Sequence, residues 1–137
     1  MRGPLTELYL HLVWSTWRRY PFITPELRQP IYAELVRASE EMRATVLAIG
    51  GMPDHVHVLV RFPATVTVAD FVGRIKGSSS HLVTHVLRPG EPFKWQGGYG
   101  AFSVSRRNVS AVRAYVLNQE QRHRDGTIHG ALEATSG

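Results

Sequence analysis

The segment Met52-Pro-Asp-His-Val-His-Val-Leu-Val60 sets two histidines one residue apart inside an aliphatic run. On a strand successive side chains alternate between faces, so His55 and His57 share one face while Val56, Val58, Val60 and Phe62 share the other. Two imidazoles side by side suit two ligands of one divalent cation, with neighbouring carboxylates or carbonyls fixing the tautomer. Asp54 is placed to orient one ring, although Pro53-Asp54 also reads as a turn. The bare spacing equally describes two ordinary histidines on a half-buried strand. A second group lies in Val112-Arg-Ala-Tyr115-Val-Leu-Asn-Gln119, where Tyr115 and Gln119 are i, i+4 neighbours on one helix face. A tyrosine hydroxyl can serve as a covalent nucleophile, and an amide oxygen can complete a metal's coordination. Core packing of the tyrosine and solvation of the glutamine are the plainer alternatives.

The elements that must position these groups alternate in an informative order. Leu8 to Trp17 is rich in aromatic and β-branched residues and reads as a first strand, followed by a basic turn from Arg18 to Pro21. Thr24-Pro25 predicts a helix start, and Leu27, Ile31, Leu35, Ala38 and Met42 carry the helix over roughly 25–43, with a kink or late start expected at Pro30. Thr45 to Ile49 predicts a second strand, Gly50 to Asp54 a turn, and His55 to Phe62 a third strand forming an antiparallel hairpin with the second. Thr67-Val-Ala-Asp70 opens a second helix in the manner of a capping box; Gly77-Ser-Ser-Ser80 weakens its middle and Arg88-Pro-Gly90 ends it. Tyr99 to Val104 predicts a last strand, and Ser105 or Asn108 caps a final helix to about Arg124. The order β-α-β-β-α-β plus a terminal helix predicts an α+β, ferredoxin-like antiparallel sheet with helices on one face. The whole of 1–137 is expected to be one domain, with 125–137 a small, polar, mobile tail.

Composition narrows the chemistry. The 137 residues suffice for one core, so an active site must be compact or shared with another copy. The absence of cysteine excludes disulfides, thiolate-ligated metals, iron–sulfur clusters and thiol catalysis, leaving His, carboxylate or amide donors. The formal charge is +5, and fourteen of the sixteen basic residues are Arg, whose planar fork suits phosphate; a GC-rich coding bias would give the same count. No uncharged stretch exceeds eleven residues and the first residues carry no apolar signal core, so neither a membrane partner nor export is expected and a cytoplasmic location follows.

Taken together, H-hydrophobic-H after Pro-Asp, the stretch Trp95-Gln-Gly-Gly-Tyr-Gly-Ala-Phe-Ser-Val-Ser105 and a following Tyr-x-x-x-Gln helix resemble the single-tyrosine HUH transposases of bacterial insertion sequences. The similarity runs from about Leu8 to His123 and includes Val13-Trp-Ser15 and Thr24-Pro-Glu26. The resemblance implies a DNA transposase that cuts and rejoins single-stranded, hairpin-bearing transposon ends. It implies Tyr115 as nucleophile, His55, His57 and Gln119 as ligands of Mg2+ or Mn2+, a 5′-phosphotyrosine intermediate, and a homodimer with composite active sites. The link Ser105-Arg-Arg-Asn108 stands where some relatives carry a glycine pair.

Candidate DNA contacts are Arg18, Arg19, Arg74, Lys76, Arg106 and Arg107, with Trp17, Tyr20 and Trp95 as stacking aromatics. His81 and His85, also i, i+4, read as surface or structural residues. Two other classes compete with the transposase: a non-catalytic or domesticated single-stranded nucleic-acid binder on the same fold, and a two-histidine metal hydrolase using water.

Overall fold

The computed structural model describes residues 4–126; of the expected tail, everything from residue 127 onward lies outside the described residues. Four strands, β1 (Leu8–Ser15), β2 (Thr45–Met52), β3 (His55–Phe62) and β4 (Gly100–Val104), form one antiparallel sheet in the order β2-β3-β1-β4. With helices α1 (Pro25–Glu41) and α2 (Val68–Leu82) inserted between them, this is the expected ferredoxin-like topology. A further pair, α3 (Val109–Leu117) and α4 (Gln119–Asp125), closes the chain.

The sheet is covered on both faces. Leu12 and Trp14 of β1 and Val56, Val58 and Val60 of β3 pack against Leu27, Ile31 and Leu35 of α1 and Phe71, Val72 and Ile75 of α2, forming the main core. On the opposite face Ala48, Leu59 and Val116 form a smaller cluster, flanked by Val104, Val109 and Val112. The final helix therefore lies across the face that carries His55 and His57.

Local differences from the sequence reading have physical causes. Helix α1 runs through Pro30 without interruption, because packing of Leu27, Ile31 and Leu35 outweighs one lost backbone bond. Strand β2 continues to Met52 and the turn shrinks to Pro53-Asp54. Gly50 and Gly51 belong to the strand: an added Cβ on Gly50 would stand 2.1 Å from the Val116 carbonyl oxygen, and one on Gly51 2.2 Å from that of His55. These glycines mark close backbone approach rather than a turn. Strand β1 stops at Ser15, after which Thr16 bridges to Trp95 and Arg18 and Arg19 both adopt left-handed backbone, with φ of 52° and 58°. Helix α2 keeps its form through Gly77–Ser80, where Ser79 Oγ donates to the Ile75 carbonyl and receives the Trp95 indole N–H at 3.0 Å. A wider π-helical turn over Val83–Leu87 follows.

The expected single terminal helix is broken. Asn118, at φ −108° and ψ 32°, separates α3 from α4, and its side-chain amide donates to the Ala114 carbonyl at 2.8 Å. An asparagine competing for a backbone carbonyl in this way ends a helix turn.

Candidate active site

Register brings the histidines together. Pairing of β1 with β3 sets Val13 opposite His57 and Ser15 opposite His55, so the rings rise from the face shared with His11, Val13 and Ser15. His55 is 3% exposed and His57 fully buried. Their ring centroids are 5.1 Å apart at an interplanar angle of 75°.

Each ring is held through Nδ1. His55 Nδ1 donates to Asp54 Oδ1 at 2.7 Å, and this hydrogen bond, with Arg19 3.8 Å away, keeps the Asp54 carboxyl below the usual carboxylate range. His57 Nδ1 shares a proton with Nε2 of His11 at 2.8 Å. His11 did not stand out in the sequence. Its one signal is a histidine between Leu10 and Leu12 in the middle of a largely apolar strand, easily read as a member of the apolar run.

Helix α3 lays Tyr115 over this floor, 2% exposed, with its ring centroid 5.9 Å from that of His57 and 6.5 Å from that of His11. The Arg122 guanidinium lies over the same ring at 4.9 Å. Despite the break at Asn118, Gln119 remains next to the tyrosine: its Nε2 donates to the Tyr115 carbonyl at 3.0 Å. That bond orients the amide, and Gln119 Oε1, buried in a side chain 2% exposed, finds no hydrogen-bond partner among the described residues. A buried amide oxygen of this kind is an acceptor open to a hydrogen bond or a cation. Among the described residues no group of three His, Asp or Glu side chains is placed to hold a metal, so a third protein donor beside the two imidazoles would have to be a group of another kind, such as an amide. Two nitrogens and a neutral oxygen fit a divalent cation that keeps further positions for phosphate oxygens or water.

One further side chain joins the site: the His123 ring of α4 stands 5.1 Å from that of His55. A cleft of about 420 Å³, lined by Arg19, Pro53, Asp54, His55 and His123, opens beside them.

The expected DNA contacts separate into two groups. Arg18, Arg74 and Arg107 are exposed, and Arg106 is exposed with an ion pair to Glu7 at 3.7 Å. Arg19 is exposed and faces Asp54. Lys76 is half-buried instead: its ammonium donates to the carbonyls of Gln96 at 2.7 Å and Gly98 at 2.9 Å, and burial lowers its pKa, so it ties the loop before β4 to α2. Of the aromatics, Trp95 is core, 6% exposed and edge-on to Trp14. Trp17 is half-buried with Lys94 Nζ 4.1 Å above its ring, and Tyr20 is exposed. His81 and His85 stack on each other at 4.1 Å on the exposed side of the α2 extension and do not enter the site.

Comparison with known proteins identifies the family. Residues 4–119 match the family described as Transposase IS200 like. Over 127 residues the chain is 25% identical to the ISDra2 transposase TnpA of Deinococcus radiodurans, spanning 88% of this chain and 90% of that protein. It is 25% identical over 122 residues to the transposase for insertion sequence element IS200 of Salmonella typhimurium, spanning 85% and 79%. Among solved structures, a candidate transposase from Deinococcus radiodurans superposes with a TM-score of 0.67 at 26% identity, over 87% of this chain and 95% of that one. The REP-associated tyrosine transposase bound to a REP hairpin shares the fold at 14% identity, with a TM-score of 0.65 over 93% and 74%. The family match spans both the paired histidines and the Tyr115–Gln119 pair, and on it the chain belongs to the family of IS200-like transposases.

Proposed function

We propose that this transposase cleaves and rejoins single-stranded DNA at hairpin-bearing transposon ends through a covalent bond to Tyr115. The observation that carries the reading is a buried tyrosine packed over two Nδ1-held histidines on one sheet face, with the buried Gln119 amide bonded to that tyrosine's carbonyl. His55, His57 and Gln119 would hold a single Mg2+ or Mn2+. When bound, the cation draws charge from the non-bridging oxygens of the scissile phosphate. Tyr115 Oη gives up its proton and bonds to phosphorus, the bond from phosphorus to the 3′ oxygen breaks, and that oxygen leaves as a hydroxyl. One phosphoester replaces another, so a second 3′-hydroxyl can reverse the step and join new DNA without a nucleotide cofactor. Asp54 keeps His55 in one orientation throughout, and the Gln119 Nε2 bond to the Tyr115 carbonyl couples the nucleophile's helix to the metal donor.

The working unit in this reading is a homodimer, one hairpin per copy, with composite sites built when α3 crosses to the partner. In the single chain Tyr115 packs over its own histidines, so crossing requires rotation about Ser105–Asn108. Light scattering after gel filtration should give twice the chain mass, and a monomer in the presence of hairpin DNA would contradict the assembly. The chemistry is tested by incubating the protein with Mn2+ and a single strand from its own element's ends. A covalent adduct resistant to denaturant is expected from wild type and not from Tyr115→Phe; an adduct that persists in Tyr115→Phe rejects the mechanism.

A further inference from the structure

We infer that His11 is a positioning residue for His57, accepting the Nδ1–H of that ring and so holding Nε2 toward the cation. The inference rests on the metal-site reading above. His11 is fully buried in an interior strand, between Leu59 of β3 and Phe102 of β4, with Tyr9 and Val13 flanking it on the same face of its own strand. An apolar side chain would fill that position at lower cost, since an imidazole taken out of water needs hydrogen bonds to offset its desolvation. The bond it makes is well formed. At 2.8 Å, with ring centroids 5.0 Å apart and planes only 19° from parallel, the shared proton lies close to the plane of both rings.

Exactly one proton occupies such a bond between neutral imidazoles, which gives the pair two arrangements. If His11 Nε2 donates, His57 carries its own proton on Nε2 and cannot ligate there. If His57 Nδ1 donates, His57 Nε2 has its lone pair for a cation and His11 is the acceptor. Only the second arrangement is compatible with ligation. The two ligand rings are therefore served by different acceptors, a carboxylate for His55 and a neutral imidazole for His57. His11 itself is not a third ligand, because the nitrogen nearest the pair is engaged with His57.

The atom-specific form of this idea is testable. A glutamine amide places its oxygen near the Nε2 position of histidine, whereas an asparagine amide reaches only the Nδ1 position. Mn2+ would be titrated into metal-free wild type, His11→Gln, His11→Asn and His11→Leu, free Mn2+ being read by electron paramagnetic resonance and fold by near-ultraviolet circular dichroism. Wild type and His11→Gln should bind alike, while His11→Asn and His11→Leu should bind about 10–100-fold more weakly, the usual loss for an outer-sphere partner of a metal ligand. If His11→Leu does not fold, the Gln and Asn variants, equal in polarity, still decide between a placed acceptor and simple packing. Folded His11→Leu or His11→Asn with unchanged Mn2+ affinity overturns the role of His11 and leaves the metal site standing. Wild type that binds no more Mn2+ than His57→Ala removes the metal site and this inference together.

Discussion

Tyr115 is enclosed by the His57 and His11 rings on one side and the Arg122 guanidinium over its ring, and only 2% of it is exposed; in the proposed mechanism its hydroxyl is the nucleophile. Removing only that hydroxyl, in Tyr115→Phe, should leave the thermal midpoint almost unchanged, a stability loss of about 1 kcal/mol or less, while adduct formation disappears. In the proposed site Asp54 would act through His55, whose Nδ1 it holds. Asp54→Ala removes the acceptor of His55 Nδ1 and should weaken Mn2+ binding about 10–100-fold in a calorimetric titration; unchanged affinity would mean that the carboxylate serves only the turn. At this scale the sequence was legible where a pattern broke its surroundings. His55 and His57 interrupt an aliphatic strand with period two, and Tyr115 and Gln119 keep helical spacing. His11 was not legible, because in Leu8–Trp17 apolar residues dominate both faces and one histidine changes no period. The orphaned oxygen of Gln119 depends on which way its amide turns, which only the bond to Tyr115 determines.

Between elements, the site depends on how closely α3 approaches β2. Gly50→Ala would push a methyl group against the Val116 carbonyl, backbone that cannot swing aside, and should cost about 1–3 kcal/mol in denaturant unfolding. The same variant should lower adduct yield, since lifting α3 lifts Tyr115; full stability and full yield would show that the helix docks elsewhere. On the other face, Glu34 of α1 bonds to Arg37 and to Ser78 of α2, and these contacts hold its carboxyl below its usual pKa. A depressed folded-state pKa gives stability that is present above the unfolded value near 4.5 and lost as pH falls below it. Glu34→Gln should therefore flatten the decline of the thermal midpoint between about pH 5 and 3, and an unchanged slope would exclude Glu34 as a source of it. Element types and order followed from periodicity; of the expected caps Thr67 makes its side-chain bond, its hydroxyl accepting the Asp70 N–H at 3.2 Å, whereas Thr24, Ser105 and Asn108 make no side-chain cap bond. The boundaries that moved did so at glycine and asparagine. Gly50 and Gly51 carry turn signals but serve a close contact, and Asn118 breaks a helix that apolar spacing alone would continue.

For the molecule as a whole, the excess positive charge is carried largely by arginines that remain exposed, including Arg18, Arg74 and Arg107, on a domain with no helix among the described residues long and apolar enough to cross a membrane. If these side chains meet phosphates, each alanine substitution should reduce the slope of log affinity against log salt by about 0.7 in single-stranded DNA binding. Lys76→Ala should leave that slope unchanged and lower the unfolding midpoint, because its ammonium is engaged by the Gln96 and Gly98 carbonyls; a change in slope without loss of stability would reverse the assignment. The fold could be derived from the order of elements, since a β-α-β-β-α-β chain with one amphipathic terminal helix has few compact solutions. Which sheet face that helix covers was not contained in the order, and it decides whether Tyr115 meets the histidines at all. The most direct measurement is peptide mapping by mass spectrometry after reaction of the wild-type protein with Mn2+ and a hairpin-bearing strand from its own element. A nucleotide joined through its 5′-phosphate to the peptide containing Tyr115, and to no other, is the expected result. Cleaved DNA released over many turnovers with no protein-bound nucleotide, or attachment at another residue, would contradict tyrosine-mediated strand transfer.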